Sequence, residues 1–140
     1  MSKKKPYVED PLEIAKELVA KWQKILYLQP WNIVVDTASR DDMETDGQAE
    51  VSINNRCQNA LVRILSPKEF RKSMGGWDQY FKRDIERSVV HELLHIKMDE
   101  FVGQVDGKDE MLYERFVDNM AKILVGMERS GHDGRKQGKS

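Results

Sequence analysis

Val89-Val90-His91-Glu92-Leu93-Leu94-His95-Ile96 is the stretch around which the rest of this sequence arranges itself. Apolar residues at Phe81, Ile85, Val89 and Ile96 recur at helical spacing, so a helix is expected over about residues 77–101, ending before Gly103. Two of the three histidines lie four apart in it. Residues so spaced share a helix face, with Cβ atoms about 5–6 Å apart. Their imidazole nitrogens can reach one metal ion at about 2.0–2.1 Å. Glu92 lies angularly near both, placed to act on a water beside the ion without ligating it. A pair of core histidines satisfied by backbone carbonyls is the structural alternative. The uncharged flanks put the pair at the edge of a buried stripe, where ligands facing a cleft belong.

Outward from this helix, the chain is rich in order signals. Asp10-Pro11-Leu12-Glu13 reads as a helix start, with Ala15, Leu18, Val19, Trp22, Ile25 and Leu26 forming its apolar stripe and Gln29-Pro30 stopping it. Trp31-Asn32-Ile33-Val34-Val35 is branched and aromatic, as strands are. Residues 39–48 are polar and acidic, a loop. Residues 49–54 alternate with the period of a half-buried strand, and residues 58–65 repeat the signal, with Ala60, Val62 and Ile64 on one face. Asn54-Asn55 between them predicts an antiparallel hairpin. Ser66-Pro67-Lys68-Glu69 opens a short helix that Gly75-Gly76 breaks. Asp106-Gly107 precedes a last helix, expected over about residues 108–128, with Leu112, Phe116, Met120, Ile123 and Leu124 as its apolar face.

The expectation is one α+β domain over residues 10–130. It holds a small three-stranded, mainly antiparallel sheet against the histidine helix and the C-terminal helix. Residues 1–9 are expected to be flexible, and the Gly-, Lys- and Arg-rich residues 131–140 a disordered basic tail.

The 140 residues suffice for one core without disulfides. No apolar run approaches the roughly 18 residues of a membrane span. The opening Met-Ser-Lys-Lys-Lys-Pro lacks the apolar stretch of a secretory signal. The single cysteine, Cys57, suits a reducing, cytoplasmic setting. Twenty-three Lys and Arg against 24 Asp and Glu leave no field that would recruit nucleic acid.

His91-Glu92-Leu93-Leu94-His95 resembles the active-site helix of the zincin metallopeptidases. Lys97 stands where that pattern usually carries an apolar residue. Met98 and Phe101 occupy the positions at which metzincins have a glycine and a third histidine, so that branch is excluded. His132 lies in the basic tail. Glu114 is 114 − 95 = 19 residues beyond His95, on the next helix, and Asp118 follows four later. This order is similar to the gluzincin, thermolysin-like branch. The likeness implies Glu114 as the third zinc ligand, Asp118 as the partner of His91's other nitrogen, and Glu92 as the general base. Asp99, Glu100, Asp106, Asp109 and Glu110 are rival ligands. The wider order of elements also looks like small phage- or prophage-encoded metallopeptidases of the minimal gluzincin type.

The resemblance implies zinc-dependent peptide hydrolysis, with a peptide or protein as substrate. A zinc-containing, non-catalytic regulatory domain that binds peptide or protein, and a metal-dependent amide or ester hydrolase, are the alternatives. Tyr113, Tyr80 and His132 are candidates to stabilise the tetrahedral oxyanion, Tyr113 foremost. Residues 58–65 are the candidate edge strand for pairing with an extended peptide.

Overall fold

The computed structural model describes residues 10–80, 82–103 and 109–137, with side chains described as far as residue 131. Helix α1 spans Pro11–Ile25. Asp10 caps it, its side chain accepting from the Leu12 amide at 3.0 Å, and it buries Ala15, Val19 and Trp22. It ends before Gln29-Pro30, the stop expected. Tyr27 turns left-handed at φ 56°, and the Leu28 amide reaches back to the Gln23 carbonyl at 2.8 Å, a Schellman closure that buries Leu28.

Strands β1 (Asn32–Ala38), β2 (Ala49–Asn54) and β3 (Asn59–Leu65) form one sheet in the order β1-β3-β2. The hairpin of β2 and β3 is antiparallel, pairing Val51 with Val62. The β1–β3 pair is parallel, Val35 lying opposite Val62. The sheet is therefore mixed, not mainly antiparallel. It also makes β3 the central strand, so residues 58–65 offer no free edge; β2 and β1 are the edges. Alternation reports which side chains share a face, and a central strand covered on one side alternates just as an edge strand does.

Helix α2 (Pro67–Met74) is capped by Ser66 and stopped at Gly75 and Gly76, both with positive φ. Helix α3 covers Ile85–Val102, starting later than residue 77. Trp77–Gln79 forms a separate 3₁₀ turn. Asp84 caps α3, accepting from the Arg87 amide at 3.1 Å. Phe81, counted in the expected stripe, lies outside the described residues, as do residues 1–9 and Asp106-Gly107.

Helix α4 covers Glu110–Gln137 and so runs through the first part of the expected disordered tail. Gly131 and Gly134 weaken a helix by only about 1 kcal/mol each, and no proline follows Pro67 to break it. Its buried face overlaps the expected one only in part. Val117, Ala121 and Val125 are buried and the expected Met120 and Leu124 pack against the core beside them, whereas Leu112, Phe116 and Ile123 are exposed. Two apolar stripes run along this helix, and the one with small residues faces inward, allowing close approach to α3.

Helix α3 packs against β2 and β3 of the sheet and also against both α1 and α4. Val89, Val90, Leu93 and Ile96 meet Trp22, Val62, Ile64, Val117 and Ala121 in one core. No helix among the described residues is long and apolar enough to cross a membrane.

Ion pairs tie the start of α3 to α4 and α1. Arg129 reaches Asp84 at 2.9 Å and Glu86 at 3.3 Å, and Trp22 Nε1 donates to Glu86 at 2.8 Å. Against the opposing effect of burial, Arg129 and the Arg87 amide hold Asp84 below the usual carboxylate range. Trp22, Lys21 and Arg129 do the same for Glu86. A depressed native pKa adds stability above the unfolded value, and that stability is lost as pH falls through the native one. Arg129→Ala should therefore be less stable than the parent at neutral pH, and the gap should close as pH drops below about 4. Urea unfolding of both proteins across pH checks this; a gap that widens in acid would contradict it.

Candidate metal centre

Helix α3 brings His91 and His95 to its α4-facing edge, while their neighbours Val90, Leu93 and Leu94 fill the core. Helix α4 runs antiparallel beside it, so Glu114 faces both histidines and Asp118 faces His91. His91 Nε2 and His95 Nε2 are 3.2 Å apart. Glu114 Oε2 lies 3.2 Å from the first and Glu114 Oε1 3.1 Å from the second.

These lengths can be set against coordination geometry. Ligands at about 2.0–2.1 Å from a tetrahedral ion are separated by about 3.3 Å. All three contacts fall close to that edge, with Glu114 meeting the two histidines through different oxygens, so a small turn of its carboxylate would complete a donor set for a small divalent cation. His91, Glu92 and His95 offer nitrogens and a carboxylate oxygen within 4.8 Å of one another, a group that can hold a metal ion. Within that set Glu92 stands back, its Oε1 3.9 Å from His91 Nε2. Glu114 approaches more closely, and it projects from the groove wall with its side chain half exposed.

Electrostatics separates the two glutamates further. Burial, reinforced by the charges of Glu114 and Glu50, pushes Glu92 up to about 8. A carboxyl so placed exchanges its proton near neutrality, as a general base must; a bound cation would draw it down again. Burial and the neighbouring His91 hold His95 below the ordinary histidine range, against the pull of Glu114. Neutral imidazole is the form that ligates metals.

The outer nitrogens have partners as well. His91 Nδ1 faces Asp118 Oδ1 at 3.6 Å, within ion-pair range but longer than a hydrogen bond. Asp118 is itself fixed by Arg87 at 3.2 Å and Lys122 at 3.4 Å. These cations, opposing burial, keep it well ionised. The Tyr113 hydroxyl lies 3.3 Å from His95 Nδ1, the nitrogen turned away from the cluster. Burial, with the charges of Glu114 and Asp99, raises its pKa, so the phenol is neutral. When Nδ1–H donates to that oxygen, the Nε2 lone pair is left for a metal.

Two of the rival ligands are engaged elsewhere. Asp99 is held by Asn55 at 3.0 Å, Glu100 accepts from Trp31 Nε1, and Asp106 is outside the described residues. Asp109 lies before the α4 start, and Glu110 borders the groove nearer Tyr113. Tyr80 is exposed and is not among the groove's lining residues, and the His132 side chain is not described. Arg87 and Glu50 escaped the sequence reading. Arg87 was discoverable, being four residues before His91 and thus on the same face. Glu50 sits at a polar position of β2, and residues 44 and 45 folding over its carboxylate, with Arg63 beside it, accompany its burial.

The cluster opens into a groove of about 1060 Å³. Ala49, Val51 and Ile53 of edge strand β2 form one wall. No family model, curated protein or solved structure matches this chain.

Asp118→Asn tests the outer arrangement. It keeps the shape and removes the charge facing His91, so zinc affinity should fall about 10–100-fold, less than for loss of a direct ligand. Zinc titration of the variant measures this, and an unchanged affinity would reduce Asp118 to a surface ion-pair residue.

Proposed function

We propose that this chain is a zinc-dependent metallopeptidase of the gluzincin type, with a zincin-like arrangement of its α+β fold. The observation that carries the reading is the convergence of His91 Nε2, His95 Nε2 and the Glu114 carboxylate at 3.1–3.2 Å, with Glu92 buried just behind. His91, His95 and Glu114 would hold zinc through three nitrogen and oxygen donors, the kind of donor set found in catalytic rather than structural sites. Bound there, the ion would supply Lewis acidity to the attacking water and the scissile carbonyl.

Glu92 takes the proton of that water and passes it to the departing amine. Its burial makes the carboxylate a stronger base than an exposed one. Asp118 and Tyr113 orient the two imidazoles through their outer nitrogens. The hydroxyl of Tyr113 engages His95, so stabilising the oxyanion would require it to leave that contact. The substrate lies extended in the groove, pairing with edge strand β2 instead of the central β3.

The open groove, rather than a closed donor set, favours catalysis over a purely structural metal site. Hydrolysis of a mixed peptide pool by the parent, set against Glu92→Gln with zinc present, tests the reading. Cleavage by the parent alone supports it.

A further inference from the structure

We propose that the end of the groove bordered by Arg83 and Lys82 receives a carboxylate of the peptide substrate, a specificity site about three residues from the bond cleaved. This inference rests on the peptidase reading for its substrate class.

Arg83 lines the same groove as His91, Glu92 and His95. Its Nε and Nη1 atoms are shut off from solvent and have no hydrogen-bond partner. Together they carry three N–H donors. Among the described residues only Nη2 makes a bond, a long one of 3.4 Å to the Gln48 carbonyl. The guanidinium otherwise rests on the Phe70 ring, 4.8 Å from its centroid. Among the described residues no carboxylate forms an ion pair with it, and the adjacent Asp84 is taken by Arg129 and by the Arg87 amide. Arg87, the next arginine, is committed to Asp118. Arg83 is half-buried as a residue, yet donors shut off from solvent without acceptors are unfavourable, and such groups are few in natural proteins. Held by one weak bond and a ring face, Arg83 can swing its donors to an anion entering the groove.

The rest of the lining gives that anion a direction. Lys82 stands beside Arg83, and the acids Glu44, Glu50 and Asp84 line the groove as well, Glu50 paired with Arg63 and Asp84 with Arg129, whereas Asp99 and Glu110 border it near Tyr113. With two of those acids already neutralised, the free donors of Arg83 are what would draw a carboxylate to this part of the groove. The α3 segment from Ile85 to His91 rises about 9 Å, the span of roughly three residues of extended peptide.

The experiment uses acetylated, amidated decapeptide pools with Glu, Gln or Lys fixed at one position at a time, plus a free-acid pool. Binding is measured to the full chain carrying Glu92→Gln with zinc added, and cleavage with the parent. Glu pools should bind about tenfold or more tightly than Gln pools at one position, as a charge-assisted bond provides. A preference confined to the free-acid pool would assign the carboxylate to the peptide's C-terminus, and one seen in amidated pools to a side chain. Arg83→Gln should erase the preference and Arg83→Glu should turn it toward Lys. Because Arg83→Gln removes a half-buried cation with two unsatisfied nitrogens, its melting temperature should equal or exceed the parent's. Equal binding of all pools, no binding of any, or a preference that survives Arg83→Gln overturns the proposal. Carboxylate-selective binding without cleavage would sink the peptidase reading and leave this site standing; cleavage without carboxylate preference would do the reverse.

Discussion

Replacing Glu92 with glutamine is expected to leave a folded, zinc-binding protein whose peptide hydrolysis falls by about 10²–10⁴-fold, the usual contribution of a general base. Size and shape are nearly conserved, so the surrounding core of Val89, Leu93 and Ile96 is not disturbed. The amide cannot accept a proton at neutral pH. At 3.9 Å from His91 Nε2, Glu92 lies farther from the histidine nitrogens than Glu114 does, and metal affinity should change little. Parallel measurement of kcat/KM and zinc affinity separates the two roles. A variant that cleaves peptide as the parent does removes Glu92 from the mechanism, and one that loses zinc makes it a ligand.

Glu114→Ala should show the opposite pattern, with tight zinc binding abolished. Only His91 and His95 would remain, and two imidazoles do not complete a catalytic zinc site. The Glu114 side chain is half exposed on α4, so its removal should cost little stability. Zinc titration of the variant decides the matter. Unchanged affinity would move the third ligand elsewhere and withdraw the gluzincin assignment, while leaving the histidine pair intact. Glu110, which borders the groove, would be tested next, ahead of Asp99, which is tied to Asn55.

The site was more legible in the sequence than the packing around it. His91 and His95 meet because four residues make one helical turn, a local fact. The caps at Asp10 and Ser66 are likewise local, each a side chain serving an amide two or three residues on. Glu114 and Asp118 needed a resemblance, because nothing local brings residues of two helices together. Where competing local signals or long-range partners decided, the reading failed. Asp84 starts α3 with Arg129 of α4 holding it from a distance. The inward face of α4 was chosen by the fit of Val117, Ala121 and Val125 against α3, over larger apolar residues on another face. The place of β3 between β1 and β2 depends on how the chain returns after residues 39–48, which alternation does not encode.

The most direct measurement is the zinc content of the purified full-length chain at neutral pH, followed through acidification. The account predicts about one zinc per chain, released on acidification because protons compete with the metal for its ligands. A protein that is purified without metal and takes up no added zinc at neutral pH would contradict it.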